Sequence, residues 1–243
     1  MYNKFKKIIL IGLLNVPFCS QAIEISSLFN VADKDGSATI SIKNTQNKRI
    51  FLNAGMAKLE VLDGEIQKTP YNRDNIDDWE IDVRPSRTII DVGQSKDFKV
   101  TVRCKPDCND DIEGYYQIAF VPTPYFDANE HPDQAVQMAV GFGSVFVNPI
   151  EDVEIKYEAE YDNDEVTVEN KGRSFLKARI MNCPANTKTE NLGECTKAFT
   201  VLPGRKLSVK VPENMQGDSI DLRLDTNLDK YQERVKLKNV REL

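Results

Sequence analysis

Apolar and polar positions alternate with a period of two in short runs bounded by Gly, Asn, Asp or Pro, the pattern of strands with one buried face. The runs are SATISIKN (37–44), RIFLNAGMAKLEV (49–61), DFKVTVRC (97–104), YYQIAFV (115–121) and AVQMAVGFGSVFV (135–147). After Pro149 the rhythm restarts with VEIKYEAEY (153–161), EVTVEN (165–170), FLKARIMN (175–182), KAFTVL (197–202), KLSVKV (206–211), SIDLRLD (219–225) and YQERVKLKNV (231–240). No long segment has helical periodicity. One run stands apart: residues 135–147 carry no charge in a chain that is 29% charged.

Six or seven strands on each side of Asn148–Pro149 predict an all-β chain of two immunoglobulin-like β-sandwich domains, 23–148 and 149–243. The link between them is very short, which predicts a fixed angle with a cleft between the domains. Ahead of them, Lys4, Lys6 and Lys7 precede the apolar run IILIGLL, with Ser20 and Ala22 before a cleavage point, so residues 1–22 read as a secretory signal peptide. Phe18 is a poor fit for a lipoprotein cleavage site, so Cys19 is read as lost with the signal. Nothing downstream approaches the ~20 uninterrupted apolar residues of a membrane span, so no membrane insertion is expected.

Losing three lysines and no acid takes the formal charge from −6 to −9, and the remaining Lys and Arg are dispersed, which argues against a nucleic-acid partner. Four cysteines remain, Cys104, Cys108, Cys183 and Cys195. An even count in an exported protein reads as two disulfides, and pairing Cys104 with Cys108 and Cys183 with Cys195 places one in each half, though three connectivities are open. Asp33, Asp35 and Ser37 around Gly36 lack the spacing of a calcium loop and read as a turn. His131, the single histidine, lies with Asp127, Glu130 and Asp133 in a solvated acidic loop, so no metal is expected. No acid, base and nucleophile set is evident, and neither enzymatic activity nor a cofactor is expected.

The order and spacing of several stretches resemble the periplasmic fimbrial (pilus) assembly chaperones of the chaperone–usher pathway. These are WEIDVRPSRTIIDVG (79–93), GYYQIAF (114–120), the uncharged run followed by Pro149, IEISSLFN (23–30), and VENKG (168–172) followed by Cys183, Cys195 and LPG (202–204). Within that family the chain is most similar to the common-pilus and colonisation-factor branch. The resemblance implies periplasmic localisation, pilus subunits and an outer-membrane usher as partners, and donation of the uncharged strand to a subunit whose own fold lacks its last strand. Val136, Met138, Val140 and Phe142 alternate and become the side chains that fill the subunit's groove.

The best-known branch anchors the subunit's terminal carboxylate with an Arg in the first strand and a Lys late in the donor strand. Here no Arg lies between Ile23 and Ala32, Ser144 occupies the Lys position and Asn148 stands where a basic residue is common. Arg84 and Arg179 are the alternative candidates for that anchor. Two other classes fit a two-sandwich exported chain, an adhesin and a structural pilus subunit. Against them, Trp79 is the only tryptophan and sits in a strand-like run, and residues 23–31 are too short for both a donor extension and a first strand.

Overall fold

The computed structural model describes residues 23–103, 113–125, 141–150, 154–184, 186–226 and 232–240. Its first ten strands are β1 (Ile23–Ile25), β2 (Phe29–Val31), β3 (Ser37–Asn44), β4 (Ile50–Leu62), β5 (Glu65–Pro70), β6 (Ile81–Arg84), β7 (Arg87–Ile90), β8 (Ser95–Val102), β9 (Gly114–Pro124) and β10 (Phe142–Asn148). Seven more follow: β11 (Tyr157–Asp162), β12 (Glu165–Asn170), β13 (Leu176–Met181), β14 (Thr196–Val201), β15 (Lys206–Lys210), β16 (Ser219–Asp225) and β17 (Gln232–Lys238). The described part of each of the twelve alternating runs falls on one of these strands; residues 135–140 lie outside the described residues. IEISSLFN is not one strand but two, and β5, β6 and β7 are additional.

In the first unit β1-β3-β8-β6 faces β2-β10-β9-β4-β5, with β7 also paired to β4. In the second, β11-β12-β15 faces β14-β13-β16-β17. The two orders share a common part: β3 corresponds to β12, β8 to β15, β4 to β13, β9 to β16 and β10 to β17, while β2 and β6 have no counterpart among the described strands of the second unit. Inward side chains of each strand fill a separate core. Ile40, Ile42, Phe98, Phe120 and Phe146 are fully buried in the first, and Val166, Val168, Ile180, Leu222 and Leu224 in the second. Each such side chain contributes about 1.5–3 kcal/mol by leaving water.

The same asparagine device closes the corresponding strand of both units. Asn44 ends β3 and donates its amide N–H groups to the carbonyls of Lys48 (2.9 Å) and Ile90 (3.0 Å). Asn170 ends β12 and donates to the carbonyls of Ser174 and Val201, both 2.9 Å. Each side-chain oxygen accepts a nearby backbone N–H, from Gln46 and Gly172 respectively. Their main-chain carbonyls accept from Gly93 and Gly204, at φ +73° and +75°, where a side chain would be strained. The loop after each strand is thereby tied into the core.

Cys183 and Cys195 form a disulfide with Cα atoms 5.0 Å apart, clamping the end of β13 to the start of β14. Cys104 and Cys108 lie outside the described residues. Removing the observed bridge is expected to cost about 2–3 kcal/mol, the chain-entropy value for so short a loop, measured by urea unfolding of a Cys183→Ala/Cys195→Ala variant. Non-reducing peptide mapping tests the Cys104–Cys108 pairing, and a bond from either of them to Cys183 or Cys195 would contradict it.

The Asp33–Ser37 segment is a turn. The Asp33 carboxylate accepts the backbone N–H groups of Ser37 and Asp35 at 2.9 Å each, and these bonds hold its pKa below the ordinary value. Gly36 takes the left-handed conformation there, φ +67°. Among the described residues no group of His, Cys, Asp and Glu is arranged to hold a metal; His131, Asp127, Glu130 and Asp133 are outside them. No helix of the described chain is long and apolar enough to cross a membrane.

Between the two cores lies a third, smaller cluster. Leu59, Tyr115 and Val147 of the first unit meet Phe175 and Leu202 of the second, with Phe29, Val31, Val61 and Val145 around them. Phe29 and Phe175 pack edge to face, with ring centroids 5.0 Å apart. Glu113 is buried at this junction, and burial pushes its carboxyl above the usual carboxylate range, partly offset by hydrogen bonds from Tyr115, Phe175 and Ser174. Folding therefore favours its protonated form. Its contribution to stability is full below the ordinary value near 4.5 and is lost as pH rises through the raised value. The melting-temperature difference between the wild-type protein and Glu113→Gln should fall across that window and be flat above it. A difference that grows with pH would contradict the sign.

Candidate functional site

β10 lies between β9 and β2, but β2 covers only part of it. All seven β10 residues are in antiparallel register with β9, from Phe142↔Phe120 to Asn148↔Gly114. On the other side β2 runs parallel and reaches only Val145, Phe146 and Val147. The Val145 N–H donates to the Leu28 carbonyl and the Ala32 N–H to the Val147 carbonyl, both 2.8 Å, so odd-numbered β10 residues direct their backbone toward β2. By alternation, the N–H and C=O of Gly143 point the same way. Among the described residues no strand pairs with that edge.

The cause is local and sits in the Ser26–Ser27 step between β1 and β2. β1 pairs with β3 in one sheet, Ile23↔Asn44 to Ile25↔Ile42, and the chain then crosses to the other sheet. Ser27 Oγ donates to the Phe29 carbonyl (2.8 Å) and closes the bend. Ser144, fully buried, donates to the Ser27 carbonyl (3.1 Å) and accepts from the Asn30 side chain (2.7 Å). A small hydroxyl at 144 thus locks the sheet-switching bend to β10. Leu28, at the head of β2, is left 61% exposed.

The two faces of the β10 sheet differ. Phe142, Phe146, Tyr116, Ile118 and Phe120 turn toward the first core, Phe142 only partly buried. The opposite face carries Val145, Val147 and Tyr115 into the junction cluster. Away from the junction that face is shallow: Gly55, Ala119 and Gly143 lie in one register row, followed by exposed Val121. A Cβ on Gly143 would come within 2.7 Å of Gln117 Nε2. The Gln117 side chain therefore lies over Gly143 on that face.

Of the expected groove-filling residues, Phe142 opens β10, and Val136, Met138 and Val140 lie outside the described residues. The two candidate arginines stand apart. Arg84 ends β6, in the sheet that does not contain β10, exposed and bonded to Asp82 at 2.7 Å. Arg179 is on β13 in a register row with Arg223 of β16 and Arg234 of β17. Arg223 and Arg234 pair with Asp225 (3.1 Å) and Asp221 (2.8 Å); among the described residues no carboxylate pairs with Arg179. Trp79 is not in a strand but follows the 3-10 turn Arg73–Asp78 ahead of β6, where it packs stacked on Tyr71 at 5.7 Å with its indole N–H donating to Asn75.

The equivalent edge of the second unit makes the contrast. β17 occupies the place of β10, and its sequence QERVKLK puts Gln232, Arg234, Lys236 and Lys238 on one face and Glu233 among its inward positions. Charges of this kind are how natural sheets keep an outer strand from pairing with another chain. β10, FGSVFVN, has none.

The first unit matches the family model described as the CS5 fimbrial protein N-terminal domain, over residues 25–149. The chain belongs to that family. No curated protein sequence matches it. Among solved structures the fold is similar to the class 5 fimbriae chaperone CfaA, at 15% identity and TM-score 0.51, covering 90% of this chain and 99% of that one. It is also similar to a chain of the Salmonella enterica SafA pilin–SafB chaperone complex, at 13% identity and TM-score 0.54, covering 89% and 96%. A third likeness is to a chain of the CsuC–CsuE chaperone–tip adhesion subunit pre-assembly complex of Acinetobacter baumannii, at 12% identity and TM-score 0.53, covering 90% and 99%. The two-sandwich all-β fold of this CS5-family protein is thus the fold of the fimbrial chaperones.

Proposed function

We propose that this CS5-family protein is a periplasmic assembly chaperone that holds a pilus subunit by strand addition to β10 and delivers it to an outer-membrane usher. The observation that carries the reading is the unprotected edge at Phe142–Ser144, beside a charged, protected edge at the same place in the second unit. An edge strand without charges, flanked by exposed Leu28 and Val121, is an aggregation hazard unless a partner covers it. A partner strand laid against Gly143 satisfies its N–H and C=O, and side chains alternating along the donor run supply apolar surface to the partner's groove. Val136, Met138, Val140 and Phe142 are the residues proposed for that role. Such an exchange of strands needs no nucleotide or metal. Arg179 is the better placed of the two arginines to receive a partner's carboxylate, because Arg84 already holds Asp82.

The test is recovery of the tagged protein from periplasmic extract of cells that assemble its pilus. A one-to-one complex with a pilus subunit is expected. Recovery as a polymer would point to a structural subunit, and recovery alone, with retention on glycan resin, to an adhesin.

A further inference from the structure

The outer face of the sheet β14-β13-β16-β17 is cationic in a chain whose formal charge is negative. Ala178 and Ile180 of β13, Leu222 and Leu224 of β16, and Val235 and Leu237 of β17 turn into the second core, so their alternate neighbours turn outward. The basic ones are Lys177, Arg179, Arg223, Arg234, Lys236 and Lys238, and the acidic ones are Asp221 and Asp225. Arg179, Arg223 and Arg234 share one register row on three neighbouring strands, which places them about 4.8 Å apart from strand to strand. On the fourth strand the row ends at Ala198, whose side chain is too short to cover Arg179. Scattered along the sequence, these cations are gathered by the strand register.

Both acids on this face are already engaged. Asp225 pairs with Arg223 at 3.1 Å and Asp221 with Arg234 at 2.8 Å. Lys177 lies over the Phe175 ring at 5.8 Å. Among the described residues no carboxylate pairs with Lys177, Arg179, Lys236 or Lys238. Like charges on neighbouring strands repel in the free protein, and a partner of opposite charge removes that cost. The other sheet of the unit has the opposite sign, with Glu158, Glu160 and Asp162 of β11 and Glu165 and Glu169 of β12 facing outward beside two lysines of β15. The second unit is therefore charged oppositely on its two faces.

We propose that the outer face of β13, β16 and β17 is a docking surface for an acidic polypeptide, whose Asp and Glu side chains pair with Lys177, Arg179, Lys236 and Lys238. A guanidinium group such as that of Arg179 binds a carboxylate through two parallel hydrogen bonds. An anionic membrane is the poorer match. Surfaces that bind lipid carry large apolar side chains beside their cations, and none of the exposed large apolar residues belongs to β13, β16 or β17. A second copy is also disfavoured, because a copy that docks its acidic face here leaves its own basic face open to a third, a series of contacts without closure. The surface lies in a different unit from the open edge of β10, and the proposal does not depend on strand addition there.

The experiment titrates the full chain with an oligo-glutamate peptide and follows amide chemical shifts. Shifts should concentrate on β13, β16 and β17 and weaken as salt is added. Arg179→Glu combined with Lys236→Glu should weaken binding by at least roughly tenfold, whereas Lys99→Glu combined with Lys206→Glu, the same change of net charge on two other sheets, should leave it within about twofold. Equal weakening by the two pairs would overturn the proposal and assign binding to net charge alone, as would shifts that miss these three strands. Two further arms test the other occupants. Binding to phosphatidylglycerol vesicles without binding to the peptide would give the face to lipid, and self-association in sedimentation that Arg179→Glu/Lys236→Glu removes would give it to a second copy; either result overturns the proposal. Should the charge-reversed protein not fold, Arg179→Gln combined with Lys236→Gln decides by the same criterion.

Discussion

Met138→Asp and Val140→Asp should each abolish recovery of a pilus subunit while the free protein remains folded. Either change places an unpaired charge where the proposed complex requires an apolar side chain. The penalty of several kcal/mol for burying such a charge corresponds to two or more powers of ten in affinity. Both variants are to be measured twice, by thermal melting of the isolated protein and by periplasmic pull-down. A folded variant that still holds subunit at wild-type yield would remove these residues from the donor role. A variant that unfolds alone would place the run in the protein's own core.

The second large effect is expected at the paired asparagines. Asn44→Ala and Asn170→Ala each remove three hydrogen bonds from a fully buried amide and leave two carbonyls and one N–H without partners. With about 1–3 kcal/mol for each buried group left unsatisfied, each substitution should cost at least roughly 3 kcal/mol in urea unfolding of the unit that carries it. A loss below about 1 kcal/mol would mean that water replaces the side chain at these turns. The two costs should be similar, because the contacts are the same in both units.

The strands with one buried face were legible because period-two alternation is the direct imprint of a half-buried sheet. KLSVKV and SIDLRLD read clearly for that reason. β5, EIQKTP, is exposed along most of its length and has no apolar face to reveal it. The split of IEISSLFN into β1 and β2 was hidden because both halves are apolar; the Ser26–Ser27 pair marks the bend, but only the pairing of each half with a different sheet makes it visible. The importance of Ser144 was partly readable, as the residue standing where a lysine is familiar. Its bonds to Ser27 and Asn30 join positions more than a hundred residues apart and could not be read locally. Glu113 was one acid among many in an acidic chain. What distinguishes it is burial against donors from another unit, a property of the fold and not of its neighbours in sequence.

The central claim, that the open edge of β10 is where a partner strand pairs, is tested most directly by amide hydrogen exchange at Gly143. In the free protein its N–H should exchange quickly, while that of Ser144, directed at β9, is protected. In the complex with subunit recovered from the periplasm, Gly143 exchange should slow by at least roughly a hundredfold, as for amides in a core ladder, with Ser144 little changed. Unchanged exchange at Gly143 in a stable complex would show that the subunit is held elsewhere and contradict strand addition at this edge.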